Sequence, residues 1–196
     1  GLPVIPLIDA VAFPRVTFPL QIGRPFSVAA LERAIEGDED TLVLLVAQKR
    51  QSRKRINPEN LYRIGTVAQV VRKYRLPEGG YSVLMQGLYR AEIVETSTED
   101  EVLMAAVAEV QPNAKTGIEM EALRRAVSGQ VQEFAEKGNT LPAEIVSLAR
   151  RVTDPDWLAD LVAAHGGLEL ETQQEILETL DSYSRLYKVS IYLSEQ

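Results

Sequence analysis

Residues 66–86 read TVAQVVRKYRLPEGGYSVLMQ, and this stretch decides the class of fold. Its two ends, Thr66–Val71 and Tyr81–Gln86, are rich in β-branched and aromatic residues, which favour strands. Between them lies Leu76-Pro77-Glu78-Gly79-Gly80. Because proline fixes φ and glycine tolerates positive φ, this segment predicts a hairpin turn between two antiparallel strands.

Further strands are predicted on both sides of this hairpin. Thr41–Lys49 is a continuous apolar run of strand length, a pattern typical of burial on both faces of a sheet. Arg90–Val94 and Met104–Val110 predict two more strands, joined by an acidic polar stretch over Glu95–Glu101. Several short strands at this spacing predict a small barrel or sandwich.

One helix is predicted among these strands. Ser27 is a favourable N-cap, and Phe26 and Leu31 stand at the two positions of a hydrophobic staple. Apolar residues then recur at helical spacing until Gly37, which supplies a stop.

After Pro112 the apolar residues follow a helical period. Four helices are predicted, beginning near Ile118, Pro142, Asp154 and Glu171. The last meets no glycine, proline or capping residue before Gln196, so we expect the native chain to continue. Strands followed by helices predict an α+β protein with a β-rich lobe over residues 1–112 and a helical lobe over 113–196.

The composition excludes several classes of site. Of 196 residues, 45% are hydrophobic and 25% charged, the mix of a soluble globular protein. The net charge is −7: residues 1–112 carry 13 basic and 14 acidic side chains, and residues 113–196 carry 8 and 14. The absence of cysteine excludes disulfides, thiolate zinc sites and a cysteine nucleophile. His165, the single histidine, ends a predicted helix, where a favourable interaction with the helix dipole is preferred over a role as catalytic base.

The sequence also lacks the common motifs of catalysis and cofactor binding. Neither a phosphate-binding loop, nor G-x-G-x-x-G, nor G-x-S-x-G occurs. Two acidic runs, Asp38–Asp40 and Glu99–Glu101, lie in predicted loops and favour solvated turns over an acid–base pair or a calcium site. We therefore predict no catalytic, cofactor-binding or metal-binding residue. Without a signal peptide or an apolar run of membrane-spanning length, a cytoplasmic location is expected.

One basic cluster allows two interpretations. Lys49–Arg55 carries five basic residues in seven positions, which would suit a polyanion such as nucleic acid. The segment has no interleaved aromatic residue on which bases could stack, and the chain as a whole is acidic. A solvated loop after a buried strand is therefore favoured.

Several motifs, in order, resemble the N-terminal domain of bacterial ATP-dependent Lon proteases. They span most of the chain: Pro6-Leu7-Ile8-Asp9, Phe13-Pro14, Pro19–Arg24, Leu61–Ala68, Leu76–Gly79, Val83–Arg90, Asp154-Pro155, Leu158–Asp160 and Gln174–Glu178. The resemblance implies a β-rich, PUA-like pseudo-barrel followed by an α-helical bundle. It also implies a non-catalytic region that helps to select unfolded or damaged proteins and supports assembly of a hexamer with other Lon subunits.

In that family the ATPase module and the serine–lysine protease module follow this region, so ATP and magnesium are expected only in those modules. Membrane binding is not expected, and nucleic acid is a disfavoured partner. Two alternatives stay open at this point: a stand-alone adaptor of the same fold that grips a partner protein, and an RNA-binding module.

If the chain binds unfolded proteins, it needs apolar side chains that solvent can reach. The candidates lie in a proline-rich segment whose prolines limit regular strand pairing, so that some side chains stay at the surface. They are Phe13, Pro14, Val16, Phe18 and Pro19. Met85, Met104 and Met120 could add adaptable contacts. For both sets, burial in the core is the favoured alternative.

Overall fold

The computed structural model of the protein describes residues 1–37, 40–52, 56–114 and 116–196. Contacts within the chain divide it into two units, Gly1–Val110 and Gln111–Gln196. Among the described residues, the first unit holds six strands and one α-helix, and the second holds five α-helices. The predicted α+β class is confirmed.

The strands of the first unit close on themselves. They are β1 (Leu2–Leu7), β2 (Thr17–Ile22), β3 (Leu42–Ala47), β4 (Ile64–Arg75), β5 (Tyr81–Glu99) and β6 (Val102–Glu109). Their order in the sheet is β2-β5-β4-β3-β1-β6, and β6 pairs in addition with β5. This second pairing closes five strands into a barrel-like ring, while β2 pairs only with the first half of β5.

The predicted hairpin joins β4 to β5. The backbone N–H of Leu76 donates to the carbonyl of Gly80 over 3.0 Å, and that of Gly79 donates to Leu76 over 3.1 Å. Gly79 and Gly80 have φ of 100° and 80°, the left-handed conformation for which glycine was expected at this turn.

The predicted loop over Glu95–Glu101 is wrong, because β5 continues to Glu99 and pairs with β6. The turn consists only of Asp100 and Glu101, whose φ values are 48° and 68°. Positive φ at both central residues is what a two-residue turn needs if it is to match the twist of the flanking strands. The acidic side chains of this stretch lie mostly exposed, so solvent reaches the charges while the backbone pairs with β6.

One α-helix, α1 (Pro25–Gly37), covers the sheet. The expected cap at Ser27 is wrong, since the N–H groups of Ser27 and Val28 both donate to the carbonyl of Arg24. The helix begins at Pro25, three residues before the start that a cap at Ser27 implies, because proline's fixed φ suits the first helical position. Strand β3 is buried on both faces as predicted: Val43 and Leu45 pack in one apolar cluster with α1, and Leu44 and Val46 pack in a second cluster.

The second unit is helical. Its helices are α2 (Ile118–Glu136), α3 (Ala143–Arg151), α4 (Pro155–His165), α5 (Leu170–Glu178) and α6 (Ser182–Ser194), and α6 packs against α2 and α4. A short 3-10 turn, Pro58–Asn60, belongs to the first unit. Over the described residues, none of the helices combines the length and apolar character that crossing a bilayer requires.

The predicted long C-terminal helix is wrong, since it is two helices, α5 and α6, and the unit has five helices instead of four. Asp181 caps α6 by accepting from the Ser184 N–H at 3.0 Å. Asn113 bonds to the backbone on both sides of the break between α5 and α6. Its N–H donates to the Leu180 carbonyl, and its carbonyl accepts from the Ser182 N–H. The backbone groups that a continuous helix would pair internally are thus bonded to a distant segment.

Candidate functional site

The first unit contains an open groove of about 810 Å³. Its walls come from three parts of the chain that are far apart in sequence: the end of β1 with the following loop, β2 with the start of α1, and the turn between β4 and β5. The lining residues are Ile5–Ala10, Phe18–Arg24, Ser27, Leu76, Glu78 and Gly79. The volume is within the range of ligand-binding clefts.

The groove runs along the edge of β2. Six successive residues of the chain, from Phe18 to Gly23, line it, whereas one face of a strand would contribute only every second residue. In the sheet order β2 is terminal, and no other described strand pairs with its second edge. The groove is therefore bordered by backbone as well as by side chains.

Hydrogen bonds at the start of β2 show which backbone groups point outward. The Arg15 N–H donates to the Gly87 carbonyl, and the Gly87 N–H donates to the Val16 carbonyl. Arg15 and Val16 thus both bond to Gly87, and Arg15 has φ of 60°, so these two residues form a β-bulge opposite Gly87. Because bonded and non-bonded pairs alternate in an antiparallel ladder, the bonded positions of β2 are Phe18 and every second residue after it. Thr17, Pro19 and Gln21 direct their backbone groups away from β5.

Pro19 fits this assignment. Proline has no N–H and is tolerated in a strand where that N–H would face away from the neighbouring strand. β2 pairs with β5 over its whole length, from Thr17 opposite Gln86 to Ile22 opposite Tyr81. The expectation that prolines limit regular pairing is therefore wrong for Thr17–Ile22, whereas Phe13–Val16 lie outside the strand.

Arg24 links separate parts of the first unit at the groove. Its guanidinium donates to the carbonyls of Pro6 at 2.6 Å and Ser52 at 3.2 Å, and to the Gln48 side chain at 2.8 Å. It also lies 4.7 Å from the ring centroid of Phe26. These contacts hold the end of β1 against the start of α1, so Arg24 serves the shape of the groove.

Ser27 is a buried polar group that faces the groove. Its side chain is 3% exposed, and its hydroxyl has no hydrogen-bond partner among the described residues. An unpaired buried hydroxyl costs free energy, so such a group is unusual unless something external bonds it.

The remaining walls combine apolar and acidic side chains. Phe18, Leu20 and Leu76 are half-buried, so part of each side chain is open to solvent. Asp9 and Glu78 are exposed, and neither forms an ion pair with a described residue. The groove thus offers apolar contact area together with two carboxylates.

The structure separates the five predicted substrate-binding residues into two groups. Phe18 lines the groove half-buried, and Pro19 lines it exposed. Phe13, Pro14 and Val16 are buried and do not line the groove, so burial in the core, the favoured alternative, describes them. A role of these residues in substrate binding stays a prediction. Met85, Met104 and Met120 are also buried.

Other described sequence candidates are not among the residues that line the groove. His165 ends α4 and is half-buried, and this burial lowers its pKa. Within the part of the chain that the structure describes, no group of three or more His, Asp or Glu side chains is placed to hold a metal ion. Asp38 and Glu39 of the first acidic run, and Arg53–Arg55 of the basic cluster, lie outside the described residues.

Sequence reasoning missed two of the three walls of the groove. Ile5–Ala10 and Leu76–Gly79 were interpreted only as an opening motif and a turn, although both carry part of the Lon resemblance. The motifs Pro6–Asp9, Pro19–Arg24 and Leu76–Gly79 converge on one groove. The convergence of these motifs could have located the groove, but it becomes visible only once the fold is known.

The described residues thus form a barrel-like unit with a groove along the edge of β2, followed in the chain by a helical unit, and the groove is the candidate binding site. The chain belongs to the family of Lon substrate-binding domains: the family model described as "ATP-dependent protease La (LON) substrate-binding domain" matches residues 1–195.

Full-length relatives support the same assignment. The Lon protease of Trichlorobacter lovleyi is 35% identical over 198 residues, which cover 100% of this chain and 24% of the relative. The Lon protease of Escherichia coli K12 is 34% identical over 195 residues, which cover 99% and 25%. The chain therefore spans about a quarter of the length of these relatives.

Solved structures share the fold. The N-terminal domain of Mycobacterium avium complex Lon protease matches with a TM-score of 0.81 and 23% identity, over 100% of this chain and 98% of that one. A Lon N-terminal domain protein from Xanthomonas campestris matches with a TM-score of 0.66 and 14% identity, over 97% of both chains.

Proposed function

We propose that this chain recognises unfolded or damaged protein substrates for an ATP-dependent Lon protease, and that the groove beside β2 is where it contacts them. The observation that carries the proposal is the pairing of half-buried apolar side chains with an unpaired strand edge in one groove. Unfolded polypeptides expose apolar side chains and unpaired backbone groups, which such a groove can contact. A native protein buries most of the former and pairs most of the latter.

The proposal extends to the parent protein. Its partners are unfolded or damaged substrates and the other Lon subunits of a cytoplasmic hexamer; membranes and nucleic acids are not partners. ATP and magnesium are bound by the ATPase module, and this region needs no cofactor. The resemblance to Lon, and the share of about a quarter that the chain takes of its relatives' length, support these assignments.

Binding by one domain is expected to be weak. The groove is open and its apolar side chains are only partly exposed, so the apolar area buried per domain is limited. Several copies held in one hexamer would raise the overall avidity by roughly 10²–10⁴ without any new contact. Weak single contacts then allow release of the substrate to the next module.

Photo-crosslinking tests the location as well as the function. Gln21, an exposed groove residue, is replaced by a photoreactive phenylalanine analogue, and the same replacement of Ile118, which is 90% exposed in the helical unit, serves as the control. The client is a model protein offered in its native form and in a reduced, carboxymethylated, permanently unfolded form.

We expect position 21 to label the unfolded client in clear excess over the native one, and position 118 to show no such preference. Equal labelling of native and unfolded client from position 21 would contradict the proposed function. Equal labelling from both positions would contradict the assignment of the groove.

A further inference from the structure

We infer that the groove binds its client as an added β-strand on the free edge of β2, and that it favours extended segments flanked by basic residues. This inference rests on the proposed function and specifies its chemistry. The bound segment would pair with the outward backbone groups of Thr17, Pro19 and Gln21. Its side chains would alternate between the apolar walls and solvent, as in other cases of strand addition.

The β2 edge differs from the other open edge of the same sheet. β4 pairs with β3 only as far as Gln69, and beyond that point its open edge carries Arg72, Lys73 and Arg75. Charged side chains and a nearby bulge are the usual protection of an edge against pairing with another chain. The outward residues of β2 are uncharged, and Pro19 removes only one donor, so the N–H groups of Thr17 and Gln21 stay available.

The groove is also built to hold a strand in place. The wall formed by Ile5–Ala10 is held by the bond from Arg24 to the Pro6 carbonyl. The buried Ser27 hydroxyl, which has no described partner, lines the space between the walls and can bond a group of the bound segment. A strand in this space would form hydrogen bonds both with the outward backbone groups of β2 and with the Ser27 hydroxyl.

Charge selects the class of segment. Asp9 stands on the loop after β1 and Glu78 on the turn between β4 and β5, so these two carboxylates, which form no ion pair with a described residue, lie in different walls of the groove. Arg24, the one cation among the described residues of the lining, is bonded to backbone carbonyls and a side-chain amide. Lysine or arginine near either end of a bound segment would find a carboxylate, and acidic residues would be repelled.

The first test uses backbone-methylated peptides. The probe is a fluorescent peptide of about six residues, the common length of a strand, with lysine at each end and alternating apolar and threonine residues between. Two variants carry N-methyl groups, one on every odd and one on every even amide. An added strand directs only alternate amides to its neighbour, and a slip by one residue would reverse its faces.

The intact chain is titrated with each probe, followed by fluorescence anisotropy. We expect one methylated variant to bind at least about fivefold more weakly than the parent peptide, since each lost backbone bond matters, while the other binds as the parent does. Equal affinity of the two methylated variants would overturn strand addition and leave the proposed function standing. Failure of both the parent peptide and an unfolded client to bind would overturn the proposed function itself.

The second test changes the protein. Gln21→Pro removes an outward N–H, as Pro19 already does two residues earlier, and Gln21→Ala sets the reference for loss of the side chain alone. We expect Gln21→Pro to bind the parent peptide about fivefold more weakly than Gln21→Ala. Circular dichroism and thermal melting report whether each variant folds. A folded Gln21→Pro chain with the affinity of Gln21→Ala would overturn the inference, and the methylated peptides decide it if that variant does not fold.

Discussion

At the scale of single residues, Gly87 explains why part of the proline-rich segment is buried. A Cβ at this position would lie 2.1 Å from the carbonyl oxygen of Phe13 and 3.0 Å from its carbonyl carbon. The chain therefore crosses β5 at the one position without a side chain, and Phe13 enters the core there, 1% exposed. Sequence patterns indicated the glycine and the phenylalanine separately, but the crossing that joins them is a tertiary contact.

Gly87→Ala is expected to destabilise the first unit. The added methyl group meets backbone rather than a mobile side chain, so strand and crossing segment must move apart, at a cost of about 1–3 kcal/mol in the free energy of unfolding. Urea denaturation of the intact chain measures the change. Gly129→Ala is the matched control, because Gly129 is exposed within α2 and nothing lies within 4 Å of an added Cβ.

The control variant should gain stability. Alanine is favoured over glycine in a helix interior by about 1 kcal/mol, and the open site adds no strain. Opposite signs for the same chemical change would show that contact, and not glycine content, decides the outcome. A Gly87→Ala chain as stable as the native one would contradict the close crossing.

At the scale of elements, α2 carries a charge cluster that predicts a pH dependence. Hydrogen bonds from Arg124 first, then from Arg125, lower the pKa of Glu121 from 4.5 to about 2. Because the folded pKa lies below the unfolded one, the stabilisation is complete above pH 4.5 and is lost as the pH falls towards 2. Carbon-detected NMR titration of the Glu121 carboxyl checks the midpoint.

Glu121→Gln provides the control for this prediction. The native chain should be more stable than the variant at neutral pH, and the difference should shrink between pH 4.5 and 2. Arg124, whose own pKa the pair raises, stays charged throughout this range. A titration midpoint near 4.5, or a stability difference that does not vary with pH, would show that the pair contributes nothing in solution.

Elements also show where sequence patterns succeed. The hairpin at Leu76–Gly80 and the buried run in β3 follow from local signals, since turn glycines and continuous apolar residues act without distant partners. The break between α5 and α6 was missed because its decisive partner, Asn113, lies far away in sequence. Asp181 is nevertheless a capping residue, and its side-chain oxygen in front of Ser184 was the local signal for that break.

At the scale of the whole molecule, the groove is a product of topology. Its walls come from the first ten residues, from β2 and from a turn near residue 78, and only the closed sheet brings them together. Composition identified Phe18 and Pro19 as candidates because they are apolar and close to prolines. It could not separate them from Phe13, Pro14 and Val16, since the alternation of faces along β2 and the crossing at Gly87 exist only in the fold.

Two pairs of charge-removing substitutions distinguish the effect of the groove carboxylates on peptide binding from the effect of the net charge. The net charge is −7, so any basic peptide is attracted to the chain over a distance of about 10 Å at 0.1 M salt. Asp9→Asn with Glu78→Gln changes the net charge to −5 (−7 + 2), and so does the pair Glu169→Gln with Glu195→Gln, two exposed residues of the second unit.

If the two groove carboxylates select the segment, the groove pair should bind the lysine-ended probe roughly threefold to tenfold more weakly at low salt, since exposed charge contacts contribute up to about 1 kcal/mol each. It should also lose most of the salt dependence of binding, whereas the second-unit pair keeps the native affinity and salt dependence. Fluorescence anisotropy titrations from low to moderate salt measure both. Equal weakening by the two pairs would show that net charge attracts the peptide and that the groove does not distinguish it, because each pair removes two carboxylate charges from exposed side chains.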